Sequence, residues 1–309
     1  MTKHIIIYHD HCNDGFGAAF IAHQHLTALG TEVELLPANY NGILDLETVR
    51  DKHVHILDFS FSVKGLLEIC EAAEEVTWLD HHKTAIDAFA AEGYMSGQKA
   101  APENLRYHLT DKHSGAMLAY MHYTGKVGEN LIPYWVSLVD DRDRWVWRFG
   151  EDAKAFHAGS SLYERTVEDW KYITENVNAV IVEGAAVLKY QQNLYKQLLE
   201  TAHEITIDGQ KGLAANVPGQ FASDLGHLLC KQSGTFGATY HSDGKGYKFS
   251  LRSEGDYDVS KIAKSFNGGG HKNAAGFIIE HPLDVAASGL TLWSTTDELT
   301  QYAADAGSV

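Results

Sequence analysis

Residues 76–82 read Val-Thr-Trp-Leu-Asp-His-His, an apolar run that changes without a break into acidic and imidazole side chains. Two earlier runs end in the same way. His4 to Tyr8 leads into a polar segment that ends at Asp14. His53 to Leu57 leads into Asp58. Because parallel strands end at one edge of their sheet, and ligands bind beyond that edge, we expect the three polar clusters to converge.

Segments with helical periodicity separate these runs. Apolar residues recur at helical spacing over Phe16 to Leu29 and over Val63 to Ala73, while Val33 to Leu36 is typical of another strand. The alternation predicts βαβ units around a largely parallel sheet. Over residues 178–203, apolar side chains are interleaved with Glu, Lys and Gln at helical spacing, which predicts one long helix.

The chain beyond that helix predicts a second and smaller α/β unit. Strand-like runs cover Gly212 to Val217, Phe236 to Tyr240 and Tyr247 to Leu251, followed by a helix-like run from Val259 to Phe266 and the glycine run Gly268-Gly269-Gly270-His271. With 309 residues, of which 44% are hydrophobic, the chain can bury two separate cores. We therefore predict an α/β protein with two domains. A parallel-sheet domain is expected at residues 1–178, a linker helix at 179–203, a smaller α/β domain at 204–283 and a tail at 284–309, in which Thr296 to Ala304 is helix-like.

The composition limits the classes of partner. The formal net charge is −16, with 25 Lys and Arg against 41 Asp and Glu, which argues against a protein that holds long duplexes by neutralising phosphates. The three cysteines, Cys12, Cys70 and Cys230, are odd in number and lack paired spacing, as expected in a reducing compartment. No apolar segment has the length that a membrane requires. We therefore expect a cytoplasmic protein without a membrane partner.

Four residues of the polar clusters suit a metal ion. Asp14, Asp58, His81 and Asp140 would supply three carboxylates and one imidazole. Each of them alone has an ordinary explanation as a turn, a helix cap or a solvated charge. Together they predict a manganese or magnesium site, because oxygen ligands with some imidazole suit these ions. Such an ion would supply the activated water and the positive charge that hydrolysis of a phosphoester needs near neutral pH.

The segment around Asp140 offers more carboxylates than one ion needs. Asp140 follows the apolar run Leu131 to Leu138, which we interpret as another strand. Asp140 is the predicted ligand, and Asp141 or Asp143 is the alternative. Arg142 and Arg144 are the predicted ion-pair partners of these carboxylates, within the segment Asp140-Asp141-Arg142-Asp143-Arg144-Trp145.

A series of short motifs follows in a defined order between residues 4 and 278. These are Asp58-Phe59-Ser60, Asp80-His81-His82 with Lys83-Thr84-Ala85, Asp140, Phe249-Ser250-Leu251-Arg252-Ser253, Gly268-Gly269-Gly270-His271 and Asn273-Ala274-Ala275-Gly276. In this order they resemble the motifs of the DHH/DHHA1 phosphoesterases. The resemblance implies a parallel-sheet DHH domain with a two-metal, usually manganese, centre. It also implies a helix that joins this domain to a DHHA1 domain, which closes over the substrate.

The resemblance also implies roles for individual residues. By this likeness Asp58 would bridge two metals, with Asp14, His81 and Asp140 completing one shell and His9 serving the other, while His82 would assist phosphate or proton transfer and Asp80 would support its loop. In the second domain, the three glycines would let a phosphate approach backbone amides without obstruction by Cβ atoms. Arg252 and His271 would hold the same substrate.

The first motif departs from the family pattern. Many members have a histidine followed by two aspartates spaced two apart, whereas here Cys12 stands where the first of those aspartates is expected. His9 remains a candidate ligand, and Asp10, His11 and Cys12 are candidate substitutes for the missing aspartate. The sequence therefore leaves one-metal and two-metal chemistry open.

The function predicted from these features is hydrolysis of short single-stranded RNA or DNA, or of a related small nucleotide, with manganese as cofactor and magnesium as its alternative. Alternatives within the family are a cyclic-dinucleotide phosphodiesterase, a phosphatase for 3′-phosphoadenosine 5′-phosphate and a single-strand exonuclease. A hypothesis of another class is a degenerate member that binds nucleotides without turnover. The sequence leaves open whether the protein is a homodimer.

Overall fold

The structure, a computed structural model, describes residues 3–40, 42–242 and 246–279. The chain divides into two compact units, the first ending at Tyr190 and the second beginning at Gln191. This division lies inside the longest helix of the described residues, Val177–Leu199, at the place of the predicted linker helix. The tail at 284–309, with its helix-like run, lies outside the described residues. No helix in the described ranges combines the length and the apolar character that crossing a bilayer requires.

The first unit is built on five parallel strands. The strands are β1 (His4–His9), β2 (Val33–Ala38), β3 (His53–Leu57), β4 (Glu75–Asp80) and β5 (Leu105–Leu109). The helices are α1 (Asn13–Ala28), α2 (Val63–Ala72), α3 (Lys83–Ala91), α4 (Gly115–Thr124), α5 (Tyr134–Asp143), α6 (Gly150–Ser160), α7 (Val167–Glu175) and α8 (Val177–Leu199). The strand order is β2-β1-β3-β4-β5, and every neighbouring pair is parallel, so the predicted parallel α/β domain is confirmed.

Helices cover both faces of this sheet. On one face, Ile6 packs against Phe16 and Phe20 of α1 and shares its core with α4 to α8. On the other face, Ile5 and Ile7 share a core with α2 and α3. Burial on both faces explains why β1 is a continuous apolar run rather than an alternating one.

One predicted strand is wrong. The run from Leu131 to Leu138, interpreted as a strand that leads into Asp140, belongs largely to helix α5. Its buried residues are Trp135, Val136, Leu138, Val139 and Asp141, a spacing that follows one face of a helix. A short buried apolar run does not distinguish a strand from a core helix. Asp140 therefore lies in the last turn of a helix, not at the end of a strand.

The second unit contains a six-stranded sheet. Its elements are β6 (His203–Ile207), β7 (Gln210–Asn216), α9 (Ala222–Ser233), β8 (Phe236–Ser242), β9 (Tyr247–Ser253), α10 (Val259–Ser265), β10 (Gly269–His271) and β11 (Ala274–Ile279). The order is β10-β11-β9-β8-β7-β6, with only the β7–β8 pair parallel. Helix α9 packs on one face and α10 on the other. The smaller α/β unit is confirmed, although β6, α9, β10 and β11 were not predicted.

A buried histidine connects β1, β3 and α4 in the first unit. His55 is 7% exposed, and its Nε2 lies 2.9 Å from His4 Nδ1, while its Nδ1 lies 2.8 Å from the Tyr123 hydroxyl. Burial, with smaller contributions from neighbouring imidazoles, lowers the pKa of His55 to about 3. The folded protein therefore keeps this imidazole neutral in mildly acidic solution.

This low pKa predicts a loss of stability in acid. Between pH 6.5 and about 3 the unfolded chain binds a proton at His55 that the folded chain excludes, so the stability of the folded state falls as the pH falls through that window. From pH 6.5 to pH 5 we expect a loss of about 2 kcal/mol from this residue. Urea unfolding at several pH values should show a shallower dependence in His55→Gln. The exposed His108 provides the control, and equal slopes for wild type and His55→Gln would contradict the prediction.

Candidate metal centre

The strand order opens a crevice between β1 and β3. These strands are neighbours, yet the helix after β1 packs on one face of the sheet and the helix after β3 on the other. In parallel α/β sheets, ligands bind beyond the carboxyl ends of the strands at such a point. His9 ends β1 and Asp58 follows β3, and His9 Nδ1 lies 3.6 Å from Asp58 Oδ2.

Asp58 is a buried carboxylate that faces imidazoles. Its residue is 1% exposed, no backbone amide or hydroxyl donates to its oxygens, and His81 Nε2 lies 3.1 Å from Oδ1 while His9 Nδ1 lies 3.6 Å from Oδ2. Its backbone has φ of +54°, a conformation that side chains other than glycine rarely adopt and that is often found at functional sites. A buried carboxylate is costly unless positive charge compensates it. The lack of amide donors and the surrounding imidazoles therefore fit a metal ligand.

His81 lies among three carboxylates. Its Nε2 atom is 3.1 Å from Asp58 Oδ1, 3.7 Å from Asp14 Oδ2 and 3.3 Å from Asp143 Oδ2. Burial alone would lower its pKa, but the surrounding carboxylates, Asp58 first, raise the pKa of His81 to about 10. A protonated imidazole thus balances part of the negative charge. A divalent ion would perform the same task and would release that proton, since metal ligands bind in their deprotonated form.

Asp14 is held by the amino end of α4. Its Oδ2 accepts a hydrogen bond from Gly115 N at 2.5 Å, and its Oδ1 accepts one from Ala116 N at 2.8 Å. The partial positive charge of a helix amino end favours a carboxylate there. Even so, burial and the charges of Asp58 and Asp143 raise the pKa of Asp14 well above its usual range. Without a cation, the carboxyl groups of Asp14, Asp58 and Asp143 therefore do not all ionise easily together.

Asp80 orients the imidazole of His82. Asp80 is fully buried, and its Oδ1 accepts hydrogen bonds from His81 N and His82 Nδ1, both at 2.7 Å. Its other oxygen accepts a hydrogen bond from Ser60, whose hydroxyl also accepts one from Trp78 Nε1 at 3.1 Å. Burial would raise the pKa of Asp80, but the bond with His82 holds it below its usual range. An ionised Asp80 therefore places the ring proton of His82 on Nδ1.

The structure brings Asp143, rather than Asp140, to His81. Asp14, His81 and Asp143 offer ligand atoms that all lie within 4.8 Å of one another. Asp140 is occupied elsewhere, because its Oδ1 accepts a hydrogen bond from Ser114 N at 2.7 Å and its Oδ2 lies 3.2 Å from Arg144 Nη1. The carboxylate that faces the cluster is thus one helical turn beyond the one singled out in the sequence.

Asp141 and Arg142, which lie between Asp140 and Asp143 in the sequence, have contacts outside the cluster. Asp141 accepts hydrogen bonds from the backbone amides of Arg148, at 2.7 Å, and Phe149, at 2.9 Å. Arg142, predicted to pair with a carboxylate, has its guanidinium 4.4 Å from the ring centre of Trp145. Asp141 therefore shapes the chain after α5, and among the described contacts Asp143 is the acidic residue of this segment that reaches the cluster.

Cys12 is the substitute in the first motif that lies near Asp58. His9, Cys12 and Asp58 form a second group of candidate ligand atoms within 4.8 Å of one another. Asp10 and His11 instead contact each other, at 3.2 Å, and the His11 side chain is 86% exposed. Burial, followed by the charge of Asp58, raises the pKa of the Cys12 thiol well above its usual range. A metal at this position would have to displace the thiol proton to gain sulfur as a ligand.

Two of the predicted substrate-binding residues lie in one row of the second sheet. Arg252 of β9 pairs with Ala274 of β11, which pairs with His271 of β10. Residues directly opposite one another in a sheet point to the same face, so Arg252 and His271 project on one side. Arg252 Nη2 also donates a hydrogen bond to Ser223 Oγ at 2.9 Å.

The glycine run is partly explained by packing. A Cβ atom on Gly268 would lie 2.2 Å from the carbonyl oxygen of Gly276, and one on Gly270 would lie 2.5 Å from that of Ala274. Gly269 is exposed and has open space around the position of a Cβ atom. Close approach to β11 therefore requires two of the glycines, while the role of the run in binding a phosphate stays a prediction.

A glycine in α4 gives Asp58 its space. A Cβ atom on Gly115 would lie 2.4 Å from Asp58 Cβ and 3.0 Å from Asp14 Oδ2. We expect Gly115→Ala to displace Asp58 and to weaken Mn²⁺ binding by about tenfold or more, as loss of support for a metal ligand does. Calorimetric titration with Mn²⁺ measures this. Gly65→Ala in α2, where the new atom would meet nothing closer than 3.4 Å, is the control. Unchanged affinity in Gly115→Ala would show that Asp58 is not a ligand.

Comparison with known proteins adds three similarities. A protein of Acanthamoeba polyphaga mimivirus designated R106 is 29% identical over 298 residues, which is 88% of this chain; the chain spans 66% of the length of that relative. RecJ from Thermus thermophilus, solved in complex with Mn²⁺, matches with a TM-score of 0.53 and 14% identity, over 92% of this chain and 50% of RecJ. An exopolyphosphatase-related protein from Bacteroides fragilis matches with a TM-score of 0.51 and 14% identity, over 93% and 89% of the two chains.

The family comparison concerns the second unit. The DHHA1 domain family matches residues 199–290, which begin at the end of α8 and include the glycine run. The two solved structures match this chain over 93% and 92% of its length, which includes residues before the DHHA1 domain. Residues 199–290 therefore form a DHHA1 domain, and the likeness to the solved structures shows the fold of the chain.

Proposed function

We propose that the protein is a divalent-metal-dependent phosphoester hydrolase that acts on short oligonucleotides or related small nucleotides. The observation that carries the proposal is Asp58, whose two buried carboxylate oxygens receive no hydrogen bond from an amide or hydroxyl, while three imidazoles, those of His9, His81 and His82, lie within 3.9 Å of them. A structural aspartate would be expected to satisfy its oxygens with amides, as Asp14 does. The arrangement instead suits a residue shared between cations.

The candidate ligand atoms form three groups that share residues, and in one of them, Asp58, Asp80, His81 and His82, Asp80 and His82 are paired with each other. From the other two groups, Asp14, His81 and Asp143 would hold one ion, and His9, Cys12 and Asp58 would hold a second, with Asp58 contributing to both. A bound divalent ion supplies positive charge for the phosphoryl oxygens and lowers the pKa of a bound water. The carboxylate and imidazole donors of the first group suit Mn²⁺ or Mg²⁺. The Mn²⁺ complex of the RecJ structure supports manganese as the first choice.

His82 would serve the reaction from beside the ligands. Its Nδ1 atom lies 2.7 Å from Asp80 Oδ1, to which it donates, and 3.9 Å from Asp58 Oδ1. Burial would lower the pKa of His82, but the bond to Asp80 raises it above its usual value. The ring can therefore carry a second proton near neutral pH. We assign it to contact with a phosphoryl oxygen or to protonation of the leaving oxygen, and we assign Asp80 to positioning that ring.

The charge of the chain favours small substrates. A net charge of −16 opposes the binding of long nucleic acids, which depends on many phosphate contacts. A short oligonucleotide needs few such contacts, and Arg252 and His271 in the second unit are proposed to supply some of them. A cyclic-dinucleotide phosphodiesterase, a phosphatase for 3′-phosphoadenosine 5′-phosphate and a single-strand exonuclease remain alternatives for the same centre. A further RecJ structure, named as that of an exonuclease bound to manganese, keeps the last of these open.

One observation favours a protein that binds without turnover. Cys12 replaces a carboxylate in the first motif, and its thiol has a raised pKa. If the second group holds no metal, the centre has one ion at most, and one-metal hydrolysis or nucleotide binding without turnover are the outcomes that remain. The remaining ligands, Asp14, Asp58 and His81 among them, argue for activity.

Product analysis tests the proposed function. Protein stripped of metal and resupplied with Mn²⁺ is incubated with labelled RNA and DNA from two to about twenty-four nucleotides, cyclic dinucleotides and 3′-phosphoadenosine 5′-phosphate. We expect manganese-dependent release of mononucleotides, fastest from the shortest oligomers and absent in Asp58→Ala, because the bridging carboxylate is lost. An untouched panel, or equal activity in wild type and variant, would refute the hydrolase.

Matched variants in α5 test the ligand assignment. Asp143→Asn should weaken the apparent Mn²⁺ affinity by more than about tenfold relative to Asp140→Asn, because the first removes a charge beside His81 and the second a bond to Ser114 N. Each variant changes one carboxylate to the amide of nearly the same shape. A manganese titration of the hydrolysis rate measures the difference. A larger effect in Asp140→Asn would return the role of ligand to the residue predicted from the sequence.

A further inference from the structure

The thiol of Cys12 lies at the amino end of helix α1, beside the metal centre. Cys12 immediately precedes Asn13, with which the helix begins, and its side chain forms no capping hydrogen bond. It is a free cysteine whose residue is partly exposed to solvent. The partial positive charge of a helix amino end favours the anionic form of a cysteine. The acidic neighbours that oppose ionisation of this thiol are the groups whose charge a cation would offset.

The nitrogen and oxygen atoms nearest to this sulfur lack amide and hydroxyl partners. His9 Nδ1 is buried without a hydrogen-bond partner and lies 3.6 Å from Asp58 Oδ2. Asp58 is 1% exposed, and no amide or hydroxyl donates to it. With Cys12 these two residues form the second ligand group, whose donor atoms all lie within 4.8 Å of one another. A coordinated ion would satisfy all three donors at once.

A glycine in the first turn of α1 brings His9 close to that helix. A Cβ atom on Gly15 would lie 2.8 Å from His9 Cβ and 3.0 Å from His9 N. The backbone of Gly15 is not among those with positive φ, so close packing rather than conformation requires glycine here. The last residue of β1 is thus held against the start of α1. The imidazole of His9 and the thiol three positions later therefore face one point.

The two ligand groups differ in the chemistry of their donors. The first group, formed by Asp14, His81 and Asp143, has two carboxylates and an imidazole, whereas the second has one carboxylate, one imidazole and one thiol. Manganese and magnesium prefer oxygen ligands, whereas a thiolate selects softer ions such as zinc. Three protein ligands drawn from nitrogen, oxygen and sulfur, with a fourth position left open, are typical of a hydrolytic zinc site. The partial exposure of His9 and Cys12 leaves one side of the second group open in this way.

We propose that the second group binds Zn²⁺ through the thiolate of Cys12, so that the centre holds two different metals, with Mn²⁺ or Mg²⁺ in the first group. This inference rests on the proposed function for the presence of a metal centre, and it adds the identity of the second ion. When the sulfur binds the ion, the S–H bond breaks and its proton passes to the solvent. The replacement of a carboxylate by Cys12 in the first motif is then a change of metal preference rather than a loss of the site.

Cobalt spectroscopy of the full chain detects a sulfur ligand directly. Metal-free protein is titrated with Co²⁺, which occupies zinc sites and gives an intense charge-transfer absorption in the near ultraviolet when a thiolate binds it. We expect this absorption in wild type and its disappearance on addition of Zn²⁺, because a tetrahedral site with a thiolate favours zinc. Cys12→Ser should lack the absorption from the start.

The matched control is the double variant Cys70→Ala/Cys230→Ala. The chain has three cysteines, so Cys12 is the one thiol left in this protein. Its absorption with Co²⁺ should equal that of wild type. This variant leaves position 12 untouched, so it tests the assignment of the sulfur even where Cys12→Ser does not fold. Loss of the absorption in the double variant would overturn the assignment.

The affinities for two metals test the preference for zinc. Calorimetric titrations with Zn²⁺ and with Mn²⁺ give the ratio of the two affinities for wild type and for Cys12→Asp, which keeps a negative charge but replaces sulfur by oxygen. We expect the ratio of zinc affinity to manganese affinity to fall by about tenfold or more in Cys12→Asp. Binding of Mn²⁺ by Cys12→Asp would show that the variant folds.

These measurements separate the inference from the proposed function. If wild type shows no charge-transfer absorption, or if the absorption persists in Cys12→Ser, sulfur ligation is overturned even where the protein hydrolyses nucleotides with Mn²⁺. An equal ratio of affinities in wild type and Cys12→Asp overturns the preference for zinc. If wild type shows the absorption but hydrolyses none of the tested nucleotides, the hydrolase is refuted and the sulfur-ligated site is supported.

Discussion

The burial of the Asp58 carboxylate is the constraint on which the rest of the first unit depends. A carboxylate removed from water without amide partners is tolerated only where positive charge surrounds it, and here His9 and His81 face it. The glycine at position 115 leaves room for it, and its own positive φ turns it into the crevice. The buried carboxylate and the positive φ cost stability, and the glycine restricts the sequence. A cation bound at Asp58 would explain all three features.

Parallel strand order explains how ligands so far apart in sequence come together. His9, Asp58 and the Asp80 segment follow strands β1, β3 and β4, which are adjacent in the sheet and end at one edge. Two helices complete the centre. The first residues of α4 donate to Asp14, and the last residue of α5, Asp143, contacts His81. The sheet therefore sets the position of the site. Helix α4 adds amide donors to it, and helix α5 adds a carboxylate.

The parts of this arrangement that could be predicted from sequence are those with a local signature. The apolar runs that end in polar clusters predict the parallel sheet correctly. A strand that is buried on both faces has a continuous apolar run, and residues 76–79 show such a run before the polar residues 80–82. The secondary structure of the α5 segment could not be predicted from its apolar run, since a short buried run fits a strand or a helix. Once α5 is a helix, the choice between Asp140 and Asp143 depends on helical phase and on Ser114, which is distant in sequence.

The residues of the first motif, His9 to Asp14, face two different parts of the first unit. His9, Cys12 and Asp14 are directed to the acidic cluster, whereas Asn13 is directed to α6. A helix turns by about a quarter of a circle per residue, so neighbours at its start face different surroundings. A substitution at Asn13 can therefore change the contacts with α6 while the adjacent Asp14 keeps its bonds to the amides of α4. The two sets of contacts are in this way separable within six residues, so that one short segment can vary on one side without disturbing the other.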